Sequence, residues 1–422
     1  MSEPGRNPGL PSRAPAGGAA TRETRGPAGV SHAMTSNTQP VVIRQAGAAD
    51  VEPILDLLTD YDLPREHFAP AYLQDPTYQP EESWVAEEDG RLLAHIRVYV
   101  RRIRASGAEL RIAGVGNVIT ARAARGRGHA GQLLQALLAW ARDTGFAYSL
   151  LWTHIPAMYA RYGWVPIDQE IVRARVPAGA DPSVRITRFT PADLPDVMRL
   201  YEASNAGRSG VTVRSPAYWQ GQLAWLHENP DGFLLARGHD GALVGYVRSR
   251  PRADTTEILE LGLAPGAPDA GRALLATAAA RSDGQLEGHF PTALRTLFRP
   301  EEHEIAVEEG LMGRVVNLDV LVRTLAPVWA ARARAAGITE ATFGLTSSDT
   351  RVAIALRDGE LLVDSPAPDE PLPELSEQAL GHLLLRGFDR AAEPLVGDRV
   401  AHTLIRALFP EQDLVIWPAD AF

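Results

Sequence analysis

The stretch ARGRGHAGQLL, residues 124–134, sets two arginines among three glycines just before a leucine-rich run. Glycine lets a backbone approach a ligand closely. Successive N–H groups at a helix start bind oxyanions, aided by about half a positive charge from the helix dipole. The implied chemistry is the holding of a diphosphate. Two spacings coexist here. Gly126, Gly128 and Gly131 spell G-x-G-x-x-G, the dinucleotide fingerprint. Arg125, Gly128 and Ala130 spell R-x-x-G-x-A, in which N–H groups from Gly126 through Arg127 and His129 to Ala130 face the anion and Arg125 and Arg127 screen it.

The flanking elements choose between them. VVIRQ from Val41 reads as a strand, and AADVEPILDLL as a helix with Asp50 near its start. SWVAEEDGRLLAHIRVYV is a hairpin turning at Asp89-Gly90. LRIAGVGNVIT is a further strand. After the loop, Leu133, Leu134, Leu137, Leu138 and Ala141 fall on one helical face, and AYSLLWTH is the next strand. A dinucleotide fold needs its loop after the first strand of a βαβ unit and an acid about 20 residues on. This loop follows an antiparallel meander, and the next strand ends Trp152-Thr153-His154 without an acid. The second spacing meets its requirements.

Composition bounds the rest. The chain has 422 residues, 45% of them hydrophobic, which predicts several domains with sizeable cores. Cysteine is absent, which excludes disulfides and a thiol nucleophile; lysine is absent too. Net charge is −10; residues 1–33 hold four Arg and two Glu, a surplus of +2, so −12 falls on the remainder. That balance disfavours nucleic acid. No apolar run is long enough to span a membrane and no signal peptide is visible, so the expected location is cytoplasmic. Residues 1–40 are rich in Gly, Pro, Ala, Ser and Arg and read as a disordered tail, with Met34 as an alternative start. RPEEHEIAVEEG (299–310) reads as a solvated charged turn, with no metal site expected. YVRRIRAS (99–106) alternates as an edge strand, its arginines outward.

A faint repeat is present. VVIRQAGAADVEPILDLL resembles VRITRFTPADLPDVMRLY, aligning Asp50 with Asp193, and DGRLLAHIR resembles DGALVGYVR, aligning Gly90 with Gly241. The second copy has APGAPDAG in place of the glycine–arginine loop. Past residue 316 come a helix, a hairpin at Asp358-Gly359, helical stretches around 374–386 and 398–408, and a last strand, DLVIWP.

With strand, loop, helix and strand in order, the chain resembles the GCN5-related N-acetyltransferase (GNAT) superfamily, and its layout resembles the enhanced-intracellular-survival (Eis) type. The resemblance implies an α+β fold: a GNAT acetyl-CoA-binding catalytic domain at 41–175, a degenerate GNAT domain at 183–315, and a sterol-carrier-protein-like α/β domain at 316–422. It implies acetyl-CoA as co-substrate, its pyrophosphate on residues 125–130 and its amides on Val118 and Thr120. AMYARYGWVP (157–166) matches the family's tyrosine segment, which makes Tyr159 the general acid. A phenol of ordinary pKa about 10 stays protonated at neutral pH and can supply a departing thiolate with its proton. The same residues also read as an aromatic core stripe of Tyr159, Tyr162 and Trp164. The family uses the carboxylate of a terminal Phe as general base, here Phe422; a frayed terminus is the plainer reading. A lysine-like amine is neutral at pH 7 about once in several thousand, so a base on site removes roughly 4–5 kcal/mol of cost.

The resemblance also implies that Asn117, beside Val118, lines the substrate pocket and that His154 falls near the substrate, either as a second base or as a structural residue. Asp60 and Asp62 are placed to supply negative charge. The family's acid next to the terminal Phe is replaced by Ala421, with Asp420 one residue further off. The implied partner is a small-molecule amine, and the family assembles as ring-shaped hexamers. Two other functions stay open: a non-catalytic acetyl-CoA or lipid sensor, and a protein lysine acetyltransferase.

Overall fold

A computed structural model describes residues 40–177, 184–224, 229–347, 350–358, 360–364, 372–397 and 402–420. Residues 1–39 of the expected disordered tail, Met34 among them, and Gly359, Ala421 and Phe422 lie outside the described residues. No helix among the described residues is long and apolar enough to cross a membrane.

The first sheet is built from β1 (Val42–Gln45), β2 (Ser83–Glu88), β3 (Arg91–Ala105), β4 (Ala108–Thr120) and β5 (Tyr148–Trp152), followed by Leu311–Val315 and Val165–Pro166. Two tight turns set its register. Asp89 and Gly90 (φ 50° and 76°), then Ser106 and Gly107 (φ 51° and 81°), have the left-handed pairs that hairpin twist requires. Strand alternation divides the side chains. Leu110 and Ile112 point into a core shared with the C-terminal helices, while Ala113 and Val115 point to the opposite face. There α3 (His129–Asp143) buries Leu133, Leu134, Leu137 and Leu138. Four buried leucines are worth roughly 6–12 kcal/mol, as an upper bound. Helix α3 is the crossover that makes β5 parallel to β4.

That parallel pairing ends at Val115 and Leu151, yet β4 runs on to Thr120. The two strands therefore part at their C-terminal ends. A bulge marks the place: the β3–β4 register slips between His95 and Arg97, and Asn117 on the opposite strand adopts φ 49°.

The second sheet runs His303–Glu308, Gln169–Arg175, Gln285–Gly288, Thr256–Leu263, Leu243–Pro251, Phe233–Arg237, Arg185–Arg188. The sheets exchange strands. Gln169–Arg175 joins the second sheet, and Leu311–Val315 crosses back to pair with β5 in the first. The charged segment 299–310 is corrected by this pairing. Only Pro300–Glu302 is a turn; His303–Glu308 is an edge strand against Gln169–Arg175, because backbone pairing outweighs its charge density. A third sheet (Glu360–Asp364, Arg351–Arg357, Glu340–Thr346, Glu374–Leu375) packs with the helices Leu318–Ala335, Glu377–Arg386 and His402–Leu408.

The 99–106 edge is also corrected. Residues 210–213 cover it: Arg104 N–H donates to the Val211 carbonyl (2.9 Å) and Val213 N–H to that of Arg102 (2.8 Å). Arg102 does face solvent, but Arg101 turns inward to stack on Tyr218.

Candidate functional site

The glycine loop has the geometry of an anion seat. Gly126 and Gly128 take φ 80° and 85°, conformations that an L side chain adopts only under strain. No side chain caps α3 and no acid stands in its first turn, so its first N–H groups and its positive dipole end are open to an anion. Arg125 and Arg127 are exposed at the loop. His129 is buried, and neither ring nitrogen has a hydrogen-bond partner among the described residues. The third glycine has a packing cause: a Cβ on Gly131 would collide with the Tyr162 hydroxyl. The dinucleotide spacing is thus explained without a dinucleotide.

The parted ends of β4 and β5 hold the polar side chains. Asn117 is fixed by its bulge, and its Nδ2 donates to the Tyr72 hydroxyl (2.9 Å) and the Tyr99 hydroxyl (3.1 Å). Its carbonyl accepts from His95 Nδ1 at 3.0 Å. Burial pushes His95 down to about 3, so the imidazole is neutral and its proton sits on Nδ1. Behind them lies the buried Arg97, 4.0 Å from the Tyr99 ring and 4.4 Å from the Tyr78 ring, donating to the Ala71 carbonyl (2.6 Å).

Val118 and Thr120 lie on this free edge, but both carbonyls are engaged. Tyr61 Oη donates to Val118 (2.7 Å) and Arg125 Nε to Thr120 (3.2 Å). Asp60 is brought to the loop rather than to the cleft described below. Its carboxylate accepts the Arg122 N–H (2.9 Å), and Asp62 pairs with the Arg122 guanidinium. One guanidinium serves both carboxylates there and offsets part of their charge.

Tyr159 stands on α4 (Pro156–Ala160), 6% exposed and edge-on to Trp164 at 6.2 Å. Burial pushes its phenol up to about 12. Tyr159 and Tyr99 both act electrostatically on Tyr61, whose phenol is raised mainly by burial. The three tyrosines therefore share one neighbourhood. The two readings of Tyr159 are compatible, since a packed phenol is also a protonated one. His154 is exposed, on the bend after β5.

The C-terminal segment is pinned beside this site. Asp420, 2% exposed, accepts two bonds from Arg214 (2.9 Å each) and one from Tyr218 Oη (2.7 Å). Arg214 also pairs with buried Glu260, and Trp417 Nε1 donates to Asn205 at 3.2 Å. Asp420 is consequently neutralised, not an acid facing a ligand. A cleft of about 650 Å³ opens alongside, with Tyr99, Arg101 and Trp152 on one wall, Tyr218 and Arg248 on another, and Pro418 at the C-terminal side. Sequence reasoning missed Tyr99, Arg101 and Arg214. The signal for the first two was the spacing Arg97, Tyr99, Arg101, which puts all three on one face of a strand.

Comparison with known proteins agrees with this geometry. Residues 42–167 match the family described as the acetyltransferase (GNAT) domain. An uncharacterized N-acetyltransferase of Streptomyces coelicolor is 32% identical over 160 residues, which is 35% of this chain and 38% of that one. The matched part thus spans well under half of that relative's length. Two crystal structures share the fold. A GCN5-related N-acetyltransferase from Anabaena variabilis superposes with TM-score 0.67 at 16% identity, covering 91% of this chain and 100% of the other. Eis1 from Mycobacterium abscessus superposes with TM-score 0.61 at 18% identity, covering 91% and 100%. Residues 42–167 carry a GNAT acetyltransferase domain.

Proposed function

We propose that this protein transfers the acetyl group of acetyl-CoA to an amine by direct attack within a ternary complex. The observation that carries the reading is the opening between β4 and β5, with the uncapped helix start that follows β4 and the buried, protonated Tyr159, which acts on Tyr61 where that residue holds the Val118 carbonyl. The pyrophosphate rests on residues 125–130. The pantetheine amides replace Tyr61 at Val118 and Arg125 at Thr120, so binding moves the 59–63 loop. The amine nitrogen attacks the thioester carbon, the C–N bond forms and the C–S bond breaks. The Phe422 carboxylate takes the amine proton, directly or through water, and Tyr159 Oη gives its proton to the leaving thiolate. Asn117 holds Tyr99 and Tyr72 around the acetyl end.

The remaining parts follow the Eis-type layout: a second, degenerate GNAT unit at 183–315, a sterol-carrier-like unit at 316–422, and assembly into hexamers. Support for the C-terminal role is the buried Arg214–Asp420 pair, which fixes the chain two residues before Phe422. The test is mass spectrometry of products from acetyl-CoA and a panel of aminoglycosides, polyamines, amino acids and lysine peptides, alongside a variant lacking Phe422. Acetylated product that disappears in the variant supports transfer and base together. Acetyl-CoA binding without any product rules the reading out in favour of a sensor.

A further inference from the structure

The charges of the cleft do not cancel evenly. Its carboxylates each have a partner: Asp75 lies against Arg97 at 3.4 Å and Glu257 against Arg250 and Arg252 at 2.6 Å each, while Glu308 sits 3.2 Å from His289 Nε2. Arg214 and Arg248 lie around Glu260 and Asp420, two cations for two anions. Arg101 differs. It forms no ion pair with any described residue; its Nη1 donates only to the neighbouring Val100 carbonyl (3.0 Å), and its Nε is buried without a partner. Glu82, on the neighbouring turn, acts on it without ion-pair contact, and burial pushes that carboxyl up to about 7. The guanidinium is held by stacking instead, 4.6 Å over the Tyr218 ring and 5.4 Å from that of Tyr99. Stacking occupies the faces of a guanidinium, and with Nε buried and Nη1 on Val100 the Nη2 donors on its edge are left for a carboxylate.

Position gives this cation a purpose. The Tyr99 ring beside it carries the hydroxyl that binds Asn117, at the parting of β4 and β5. Arg101 is thus separated from the Asn117 side chain by the single ring of Tyr99. Aromatic rings of Tyr99, Trp152, Tyr218 and Phe233 supply the walls.

We propose that the cleft takes an amine that also bears a carboxylate, an amino acid in the broad sense, and that Arg101 binds the carboxylate while the amine is presented to the thioester. This rests on the acetyl-transfer reading for the amine's fate, though not for the binding of the anion. It sets this cleft apart from one lined by free acids, which would select polycations.

The experiment pairs each acid with its amide: L-phenylalanine with L-phenylalaninamide, and 5-aminovalerate with its carboxamide. Calorimetric Kd and steady-state KM are both measured. The acids are expected to bind at least tenfold more tightly than the amides. Arg101→Gln should weaken the acids about tenfold and erase the acid–amide ratio, and Arg101→Lys should restore part of it. Acids binding no better than amides to the unaltered protein overturns the proposal, as does an acid–amide ratio unchanged in R101Q. Tight, Arg101-dependent binding of an acid with no acetylation of either compound supports the anion site and sinks the acetyl-transfer reading instead.

Discussion

The two large sheets contain the same local device, a pair of parallel strands joined by a helix, and complete it differently. In the first, β4 and β5 part after Val115 and Leu151, and the helix that follows β4 begins behind two positive-φ glycines with arginines beside them. In the second, Thr256–Leu263 and Gln285–Gly288 pair only as far as Ile258 and Gly288. Beyond that point stands Glu260, buried and joined to Arg214, which in turn holds Asp420. The helix Pro268–Ala278 has Pro268 at its start and Asp269 in its first turn. A side-chain carboxylate already answers the dipole there, so a diphosphate would meet a like charge. One opening is left for a ligand and the other is closed by the protein's own C-terminal segment.

Breaking the closed side should have the largest effect. Arg214→Met strands Glu260 and Asp420 in the interior. A loss of about 3–5 kcal/mol is expected by chemical denaturation, since a buried charge without its partner is costly. Glu260 and Asp420 together retain their value only while Arg214 is present, so the double change Glu260→Gln with Asp420→Asn in the R214M background should recover stability.

On the open side, Tyr159→Phe should lower kcat about a hundredfold with little change in acetyl-CoA Kd, as removal of a general acid does. With the phenol raised to about 12 by burial, the acid form persists as pH rises and is lost only near that value. The kcat profile should therefore show no falling limb from Tyr159 between pH 7 and 10. A falling limb in that range that Y159F abolishes would keep Tyr159 as the acid but contradict its raised phenol; full turnover in Y159F would remove it from the mechanism.

A matched pair of glycines sharpens the contrast further. Gly128→Val and Gly266→Val each force a β-branched residue into positive φ, at 85° and 76°, and each should cost about 1–2 kcal/mol of stability. Only G128V should raise the acetyl-CoA Kd, by about tenfold.

A last effect appears only on acidification and concerns His95. Its pKa is about 3 when folded, against about 6.5 unfolded. Between those values the unfolded chain binds the extra proton, so stability is full above pH 6.5 and falls as pH drops toward 3. The slope contributed is at most about 1.4 kcal/mol per pH unit. His95→Gln should flatten the stability profile between pH 6.5 and 5 relative to the unaltered protein.

Much of the first sheet was legible because its signals are local. The Asp89-Gly90 turn, the leucine face of α3 and the R-x-x-G-x-A spacing each lie within a few residues. What was not legible depends on distant partners. Nothing around Asp420 announces Arg214, 206 residues earlier. Alternation correctly made 99–106 a strand, but the face that Arg101 takes was decided by Tyr218, which a separate helix delivers. Asp60 and Asp62 were read as acids near the substrate because nothing in their own stretch announces Arg122, 60 residues after Asp62. The 303–308 strand was hidden because its pairing mate at 169–175 crosses from the far side of the first sheet's sequence.

The crossing of Leu311–Val315 back onto β5 also bears on how the chain is made. The edge of β5 is synthesised about 160 residues before the strand that covers it. At about 5–20 residues per second that edge waits roughly 8–30 s at the ribosome. A chain interrupted between these points presents an unpaired strand edge, together with Gln169–Arg175 lacking its sheet. Such a fragment is a template for intermolecular pairing. Bisection near residue 175 should therefore give insoluble halves, and co-expression of the two pieces should rescue them only if both are produced together.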